Sequence, residues 1–438
     1  MGRVLVAVVI AAMLGGCTTY PKRDVNLEPL GLIYAKTEIP HSQLLGVRIA
    51  VFDPGELPGS DDKSSGLSME IRKAEARFIP VHLKNVMQGT DVWGPIRVVP
   101  SDTPNAEVMV SGHIVESDGE VLKLDVTVRD ATGALWIKKR YEGIIDLEFH
   151  RSAAAARMEP FRFLYHQIAN DIARHRAWMS SDAIEEVRRV SELRFAENFA
   201  PRAFAGYLKK TDGVGKDAGA EFGVAVNKLK REKAHLASEQ PRYSVQRLPA
   251  EDDPMLMRVR RIKARDDMLV DTIDKQFDGL YQQLDDPYRD WRRSRVIEVE
   301  AIRRLESERN AEVVRGLVLV VGAILLASGS GSDVSPGLVS VVGAIGVRKA
   351  LDAVRTASDD AMIHKAGLTE LGESFATDAE PIVIEVEGET VALTGTAEAK
   401  FGQWREILEK LRVREVGPDL SEPSNRGLPA GAKPLLTN

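Results

Sequence analysis

The chain's 438 residues contain one cysteine, Cys17. A lone thiol cannot close an internal disulfide or build a cysteine-based metal site. Whatever fold forms must therefore be held by apolar burial, hydrogen bonds and ion pairs. Immediately upstream, Val4 to Leu14 form an unbroken apolar run of eleven residues. A membrane-crossing helix needs roughly twenty, so this run is too short to span a bilayer.

Its surroundings suit export instead. Met1, Gly2 and Arg3 make a short basic start, and the run ends in Leu14-Gly15-Gly16-Cys17. That junction resembles the bacterial lipobox, in which an aliphatic residue and two small residues precede the cysteine that receives a thioether-linked diacylglycerol. The resemblance implies a signal peptide over 1–16, lipidation at Cys17, and a lipidated tether over 17–45. Thr18, in place of aspartate, implies sorting to the outer membrane with the protein facing the periplasm. The bilayer is then the first expected partner, because each buried acyl methylene contributes about 0.8 kcal/mol. Losing Arg3 with the signal takes the formal charge from −6 to −7. So mild an acidity gives no reason to expect nucleic acid.

The mature chain, 44% hydrophobic and 28% charged, has ordinary globular composition. The expected class is α+β and multidomain. Residues 46–150 read as an α/β module. A strand from Val47 to Phe52 is stopped by Asp53-Pro54-Gly55, and a helix from about Ser68 is bent or broken at Pro80. A short strand covers Ile96 to Val99. An antiparallel meander follows: Ala106 to Glu116, Val121 to Val128 and Ala134 to Tyr141, with turns at Asp118-Gly119 and Asp130 to Gly133. Alternation in Val121-Leu122-Lys123-Leu124-Asp125-Val126-Thr127-Val128 marks a sheet with one wet face. Strand, helix and meander behind a lipobox resemble the export-auxiliary periplasmic lipoproteins of the CsgG/PelC type, which implies envelope proteins as partners.

Residues 151–312 read as helical. Met255, Val259, Ile262, Leu269, Ile273, Phe277, Leu280 and Leu284 keep the three-four spacing of an amphipathic helix. Asp286-Pro287 reads as a helix restart, with no breaker before Gly316. The second helix is expected to run roughly 40 residues, about 60 Å. Residues 313–350 then hold an apolar, glycine-rich hairpin. Gly316-Leu317-Val318-Leu319-Val320-Val321-Gly322-Ala323-Ile324 recurs as Gly337-Leu338-Val339-Ser340-Val341-Val342-Gly343-Ala344-Ile345, with eight of nine positions identical. Arg315 and Arg348 flank its open end. Each arm is about 18 Å long as helix, short of a roughly 30 Å hydrocarbon core. Three readings stay open: a buried core hairpin, a hairpin dipping partway into a membrane, and a self-association surface. The last two use Gly316, Gly322, Gly337 and Gly343 for close approach. Valine richness also leaves a β-hairpin open.

Over 351–416 the chain is expected to form a small α/β module, beginning with a polar helix from Leu351 to about Phe375. Strands at Pro381 to Glu387 and Thr390 to Gly395 turn at Gly388, and a helix runs from Glu398 to Leu411. This order resembles the BON domain of periplasmic and outer-membrane proteins, with its final strand reduced to Val413 to Val416. Residues 417–438, rich in Pro, Gly and Ser, read as a disordered tail.

The sequence offers no catalytic constellation. The closest histidines, His166 and His175 with Asp171 between them, lack the spacing that places two ligands on one helical face. No phosphate loop or nucleophile elbow is present. No metal or other cofactor is expected, and no enzyme. Two basic runs, Arg258, Arg260, Arg261, Lys263, Arg265 and Arg292, Arg293, Arg295, read as solvated helix faces, with contact to an anionic partner as the functional alternative. The expected role is a lipid-anchored, non-enzymatic cell-envelope component. The alternative is a membrane-active homo-oligomer or pore subunit using the Gly316–Ile345 hairpin.

Overall fold

The computed structural model describes residues 31–57, 69–103, 105–145, 149, 158–211, 241–327 and 381–416, with backbone alone at 298–327 and 415–416. The signal peptide, Cys17, the second apolar arm with Gly337, Gly343 and Arg348, the helix expected after Leu351 and the C-terminal tail all lie outside these residues.

Strand β1 (Val47–Ala50) leads through helix α1 (Met69–Gln88) to β2 (Ile96–Val99). The meander is β3 (Val108–Ser117), β4 (Val121–Asp130) and β5 (Leu135–Ile144). These five strands form one mixed sheet in the order β2-β1-β3-β4-β5. β1 is parallel to both β2 and β3, and the meander is antiparallel. Both aspartate turns form as their composition dictates. Asp118 Oδ1 accepts from the Glu120 and Val121 amides, and Asp130 Oδ1 accepts from Thr132 N while Oδ2 accepts from Trp136 Nε1. Gly119 holds the left-handed φ of +94° that the first turn requires.

Helix α2 (Arg162–Ala177) packs on β5, and α3 (Ser181–Phe199) and the short α4 (Pro201–Phe204) follow. Ser180 caps α3 by accepting from Ala183 N. A two-stranded pair that the sequence reading lacks, β6 (Leu208–Thr211) with β7 (Arg242–Val245), precedes the 74-residue helix α5 (Pro254–Ala327). The C-terminal hairpin is β8 (Ile382–Val386) with β9 (Glu389–Leu393), followed by α6 (Ala397–Val416).

Two expectations are corrected, a break at Pro80 and a helix restart at Asp286-Pro287. Pro80 lies inside an unbroken α1. A proline leaves the carbonyl four residues back without a helical donor. Here that carbonyl, Ala76 O, accepts from Phe52 N at 2.9 Å, so the vacancy becomes a bond to the exit of β1. Pro287 likewise sits within α5 and does not begin a second helix. The carbonyl it frees belongs to the exposed Gln283, where water can satisfy it. A third correction concerns Val413 to Val416, which end α6 in place of a final strand. The first apolar arm, with Arg315, Gly316 and Gly322, is carried on the helical backbone of α5, which excludes a β-hairpin for that arm.

The expected modules share one hydrophobic core. It runs from Leu45 and the inward side chains of β1–β4 through Leu164, Val187, Val259 and Ile273 to Trp404 and Leu411. A smaller cluster joins Phe78 of α1 to Leu284, Tyr288 and Trp291 of α5. Gly112 allows the closest approach within the sheet, since a Cβ there would lie 2.3 Å from the Phe52 ring.

Candidate functional site

Helix α5 carries the densest electrostatic structure of the protein. Beside its apolar stripe, Asp267, Asp271, Asp274 and Asp278 recur at steps of four, three and four, so they share one face. That face meets the basic groups of the sheet and of α1. Arg48 of β1 donates to Asp266 (3.1 Å) and Asp267 (3.0 Å). Arg97 of β2 pairs with Asp271 at 2.5 Å, and Lys84 of α1 with Asp274 (2.8 Å) and Asp278 (2.5 Å). Asp274 Oδ1 also accepts from Val98 N at 2.7 Å, covering the open edge of the sheet. Asp266, fully buried, additionally accepts from Trp404 Nε1 of α6 at 2.9 Å. Burial works against its charge, but Arg48 and Arg405 outweigh it and hold the carboxyl below the ordinary carboxylate value.

Further along α5 a second junction forms around Arg292, 1% exposed. It donates to Glu159 Oε1 at 2.5 Å and to the Tyr288 hydroxyl, and its guanidinium lies 4.0 Å from the Tyr288 ring centroid and 4.7 Å from that of Phe161. The Tyr288 hydroxyl donates to Glu75 Oε1 at 2.6 Å, which also accepts from Ser117 at 2.5 Å. Burial pushes the Glu75 carboxyl up despite Arg72 and Arg292 nearby. Glu159 suffers the same burial, yet the direct Arg292 contact brings it below its ordinary value. Burial lowers the His82 imidazole, whose Nδ1 lies 2.8 Å from Tyr281 Oη.

These contacts correct the reading of the basic runs as solvated faces at Arg258, Arg265, Arg292 and Arg295, while Arg260, Arg261 and Arg293 are exposed. Arg292 and Arg295 are buried. In the first run, Arg258 grips Glu387 in the β8–β9 turn (2.7 Å), Arg260 pairs with Glu192 of α3 (2.7 Å), and Arg265 donates to Glu385 O. Lys263 pairs with Asp267 at 3.2 Å. These cations clasp the chain to itself. His166, His175 and Asp171 do not form a site either. His175 stacks on Trp136 at 4.6 Å, and Asp171 accepts from Tyr141 and Lys139.

Two surface arrangements were missed in the sequence. A cleft of about 640 Å³, adjoining one of about 230 Å³, lies at the N-terminal ends of β1 and β2. Its charges are already engaged: Arg188 donates to Ser42 O, Arg189 pairs with Glu185, and Glu107 accepts from Gly46 N at 2.6 Å. Open α/β sheets bind ligands at the opposite, carboxyl ends of their strands. At that end, just after β1, Asp53 Oδ2 lies 3.0 Å from His113 Nδ1, with both residues exposed. Backbone bonds from Asp53 N to Gly112 O and from Ile114 N to Asp53 O make this pair a clip between β1 and β3. Ser111, two residues along β3, donates to Asp102.

Among the described residues no group of three or more His, Cys, Asp or Glu could hold a metal ion. Among them, too, no helix is long and apolar enough to cross a membrane. No family model, curated protein or solved structure matches this chain.

Two outcomes test the junctions. Asp266→Asn leaves Arg48 with Asp267 alone as countercharge and should cost about 1–3 kcal/mol by urea denaturation; a loss well below about 1 kcal/mol would remove Asp266 from its central place. Glu75, raised above its ordinary 4.5 by burial, keeps its proton more readily folded than unfolded. Its contribution is complete below pH 4.5 and is lost as pH rises through the folded value. The stability of the wild type minus that of Glu75→Gln should therefore fall as pH rises above 4.5, and a flat or rising difference contradicts this assignment.

Proposed function

We propose that this chain is a lipid-anchored, non-enzymatic component of the bacterial cell envelope, held in the outer membrane and facing the periplasm. It would support an export or assembly machine through contacts with other envelope proteins. The observation that carries this reading is the Leu14-Gly15-Gly16-Cys17 junction, whose cysteine is the only thiol in the chain. The strand, helix and meander of the N-terminal part suit an auxiliary lipoprotein of the CsgG/PelC type. The β8–β9 hairpin with α6 suits the BON-like pattern in part, since its last strand is replaced by helix. The internal pairing of the strongest charges along α5 favours a rigid presenting body over a reactive cleft.

The second reading, a membrane-active oligomer, is favoured by one observation. The helical backbone of α5 continues without interruption through Gly316 and Gly322 to Ala327, placing the first copy of the apolar repeat on a long strut.

Cys17→Ser tests the anchor, because a hydroxyl cannot form the thioether. The variant should accumulate as unprocessed precursor without acyl label, read by mass spectrometry of the membrane fraction. Fully processed Cys17→Ser protein retained normally in membranes would overturn the reading. Val320→Asp with Val341→Asp tests the repeat. In an association or membrane surface the body stays folded while oligomer mass or vesicle binding falls. In a soluble core, burying two carboxylates costs on the order of several kcal/mol and lowers the melting temperature of the whole protein.

A further inference from the structure

The chain between Cys17 and the folded body is short, and its docking on the body is specific. The Asn170 side chain of α2 holds it from both sides, accepting from Ile33 N and donating to Gly31 O, each at 2.8 Å. Ala35 N then donates to Thr90 O at 3.1 Å. At the far end of this strap Arg176 donates to Gln43 O at 2.9 Å, and Gln43 Nε2 donates to Ser181 Oγ at 2.8 Å. The strap therefore lies along α2 and the start of α3. From Cys17 to Gly31 is fourteen residues, which cannot span more than about 50 Å fully extended.

Trp178 stands at the corner where α2 meets α3, between Arg176 and Ser181, and is 74% exposed. It lies eight residues from Asn170, about 12 Å along the helix. Tyr34, between the two strap residues bonded to the body, is 58% exposed. An indole with an apolar body and a polar N–H is the side chain best suited to a membrane–water interface. Charge there is mixed and internally engaged, because Arg174 and Lys139 share Asp171 and Arg189 pairs with Glu185. The corner therefore suits a phospholipid surface through its aromatic groups rather than through electrostatic attraction.

We propose that the α2–α3 corner, led by Trp178, rests on the surface of the bilayer that holds Cys17. This inference rests on the anchored reading above. The tryptophans themselves provide the probe. Of the five, Trp93, Trp136, Trp291 and Trp404 are buried and Trp178 is exposed. The full-length protein is reconstituted into phosphatidylcholine vesicles brominated on the acyl chains and compared with unbrominated vesicles. Tryptophan emission should be quenched, Trp178→Phe should abolish the quenching, and added salt should leave it unchanged. Acylated, vesicle-bound protein without quenching overturns the proposal and leaves the anchor standing, as when a second protein covers Trp178. Equal quenching in Trp178→Phe also overturns it. If mass spectrometry finds Cys17 unmodified, the anchored reading fails; the same chain added to the same vesicles then decides the corner alone, Trp178-dependent quenching supporting it and its absence overturning it.

Discussion

Asp266 is where separate stretches of the chain become one body. Its two oxygens serve Arg48 of β1, 218 residues away, and Trp404 of α6, 138 residues away. A carboxylate fully out of water is stable there only because its partners supply charge and hydrogen bonds together. Removing it would leave Arg48 with Asp267 alone as countercharge and the Trp404 indole without its acceptor. The acidic ladder that continues through Asp267, Asp271, Asp274 and Asp278 repeats the arrangement along the edge of the sheet. Apolar packing draws α5 against the body, since Val259, Ile262, Leu269 and Ile273 are all buried. Apolar contact is tolerant of sliding, whereas a ladder of specific ion pairs is not, so the ladder sets the register of the helix.

The same logic explains two features that break local rules. Pro80 weakens α1 as an isolated helix, yet the carbonyl it frees is the acceptor for Phe52 N. A local deficit thus becomes the bond that fixes α1 to the end of β1. Arg292 is costly to bury, yet with Glu159, Tyr288 and Phe161 around it the guanidinium has charge, hydrogen-bond and ring partners at once. In both cases the local cost is met by a partner far along the chain.

That distance separates what the sequence disclosed from what it hid. The turns at Asp118-Gly119 and Asp130 to Gly133, the strand Ile96–Val99, the hairpin at Gly388 and the apolar stripe of α5 are decided by residues within a few positions of one another. Pro80, Pro287, Arg292 and the Arg258–Arg265 run were misread because their outcome depends on Phe52, on the exposure of Gln283, on Glu159 and on Glu387. The acidic ladder was legible in principle, since its steps of four, three and four are helical. A spacing search for it would have predicted a basic counterpart. The β6–β7 pair had no such signal, as Leu208–Thr211 is a strand of four residues.

The directions of α5 and α2 bear on the apolar repeat. α5 crosses from Arg48, near the start of β1, to the β3–β4 turn, where the stem of Arg295 lies against Gly119. Beside that turn, Arg292 meets Glu159 and Phe161 at the first turn of α2. Trp178 sits at the other end of α2, sixteen helical residues away, about 24 Å. Beyond Arg295 the α5 backbone continues, and Gly316 lies 21 residues further on, about 32 Å along a helix. A bilayer beneath Trp178, if the corner rests on one, and the apolar arm at the end of α5 would therefore be on opposite sides of the body. On the anchored reading, the arm is offered to another molecule instead of to the membrane that holds Cys17. Glycines repeated at Gly316, Gly322, Gly337 and Gly343 suit close packing between helices, which makes association between arms of neighbouring copies the use of the repeat most compatible with the anchor.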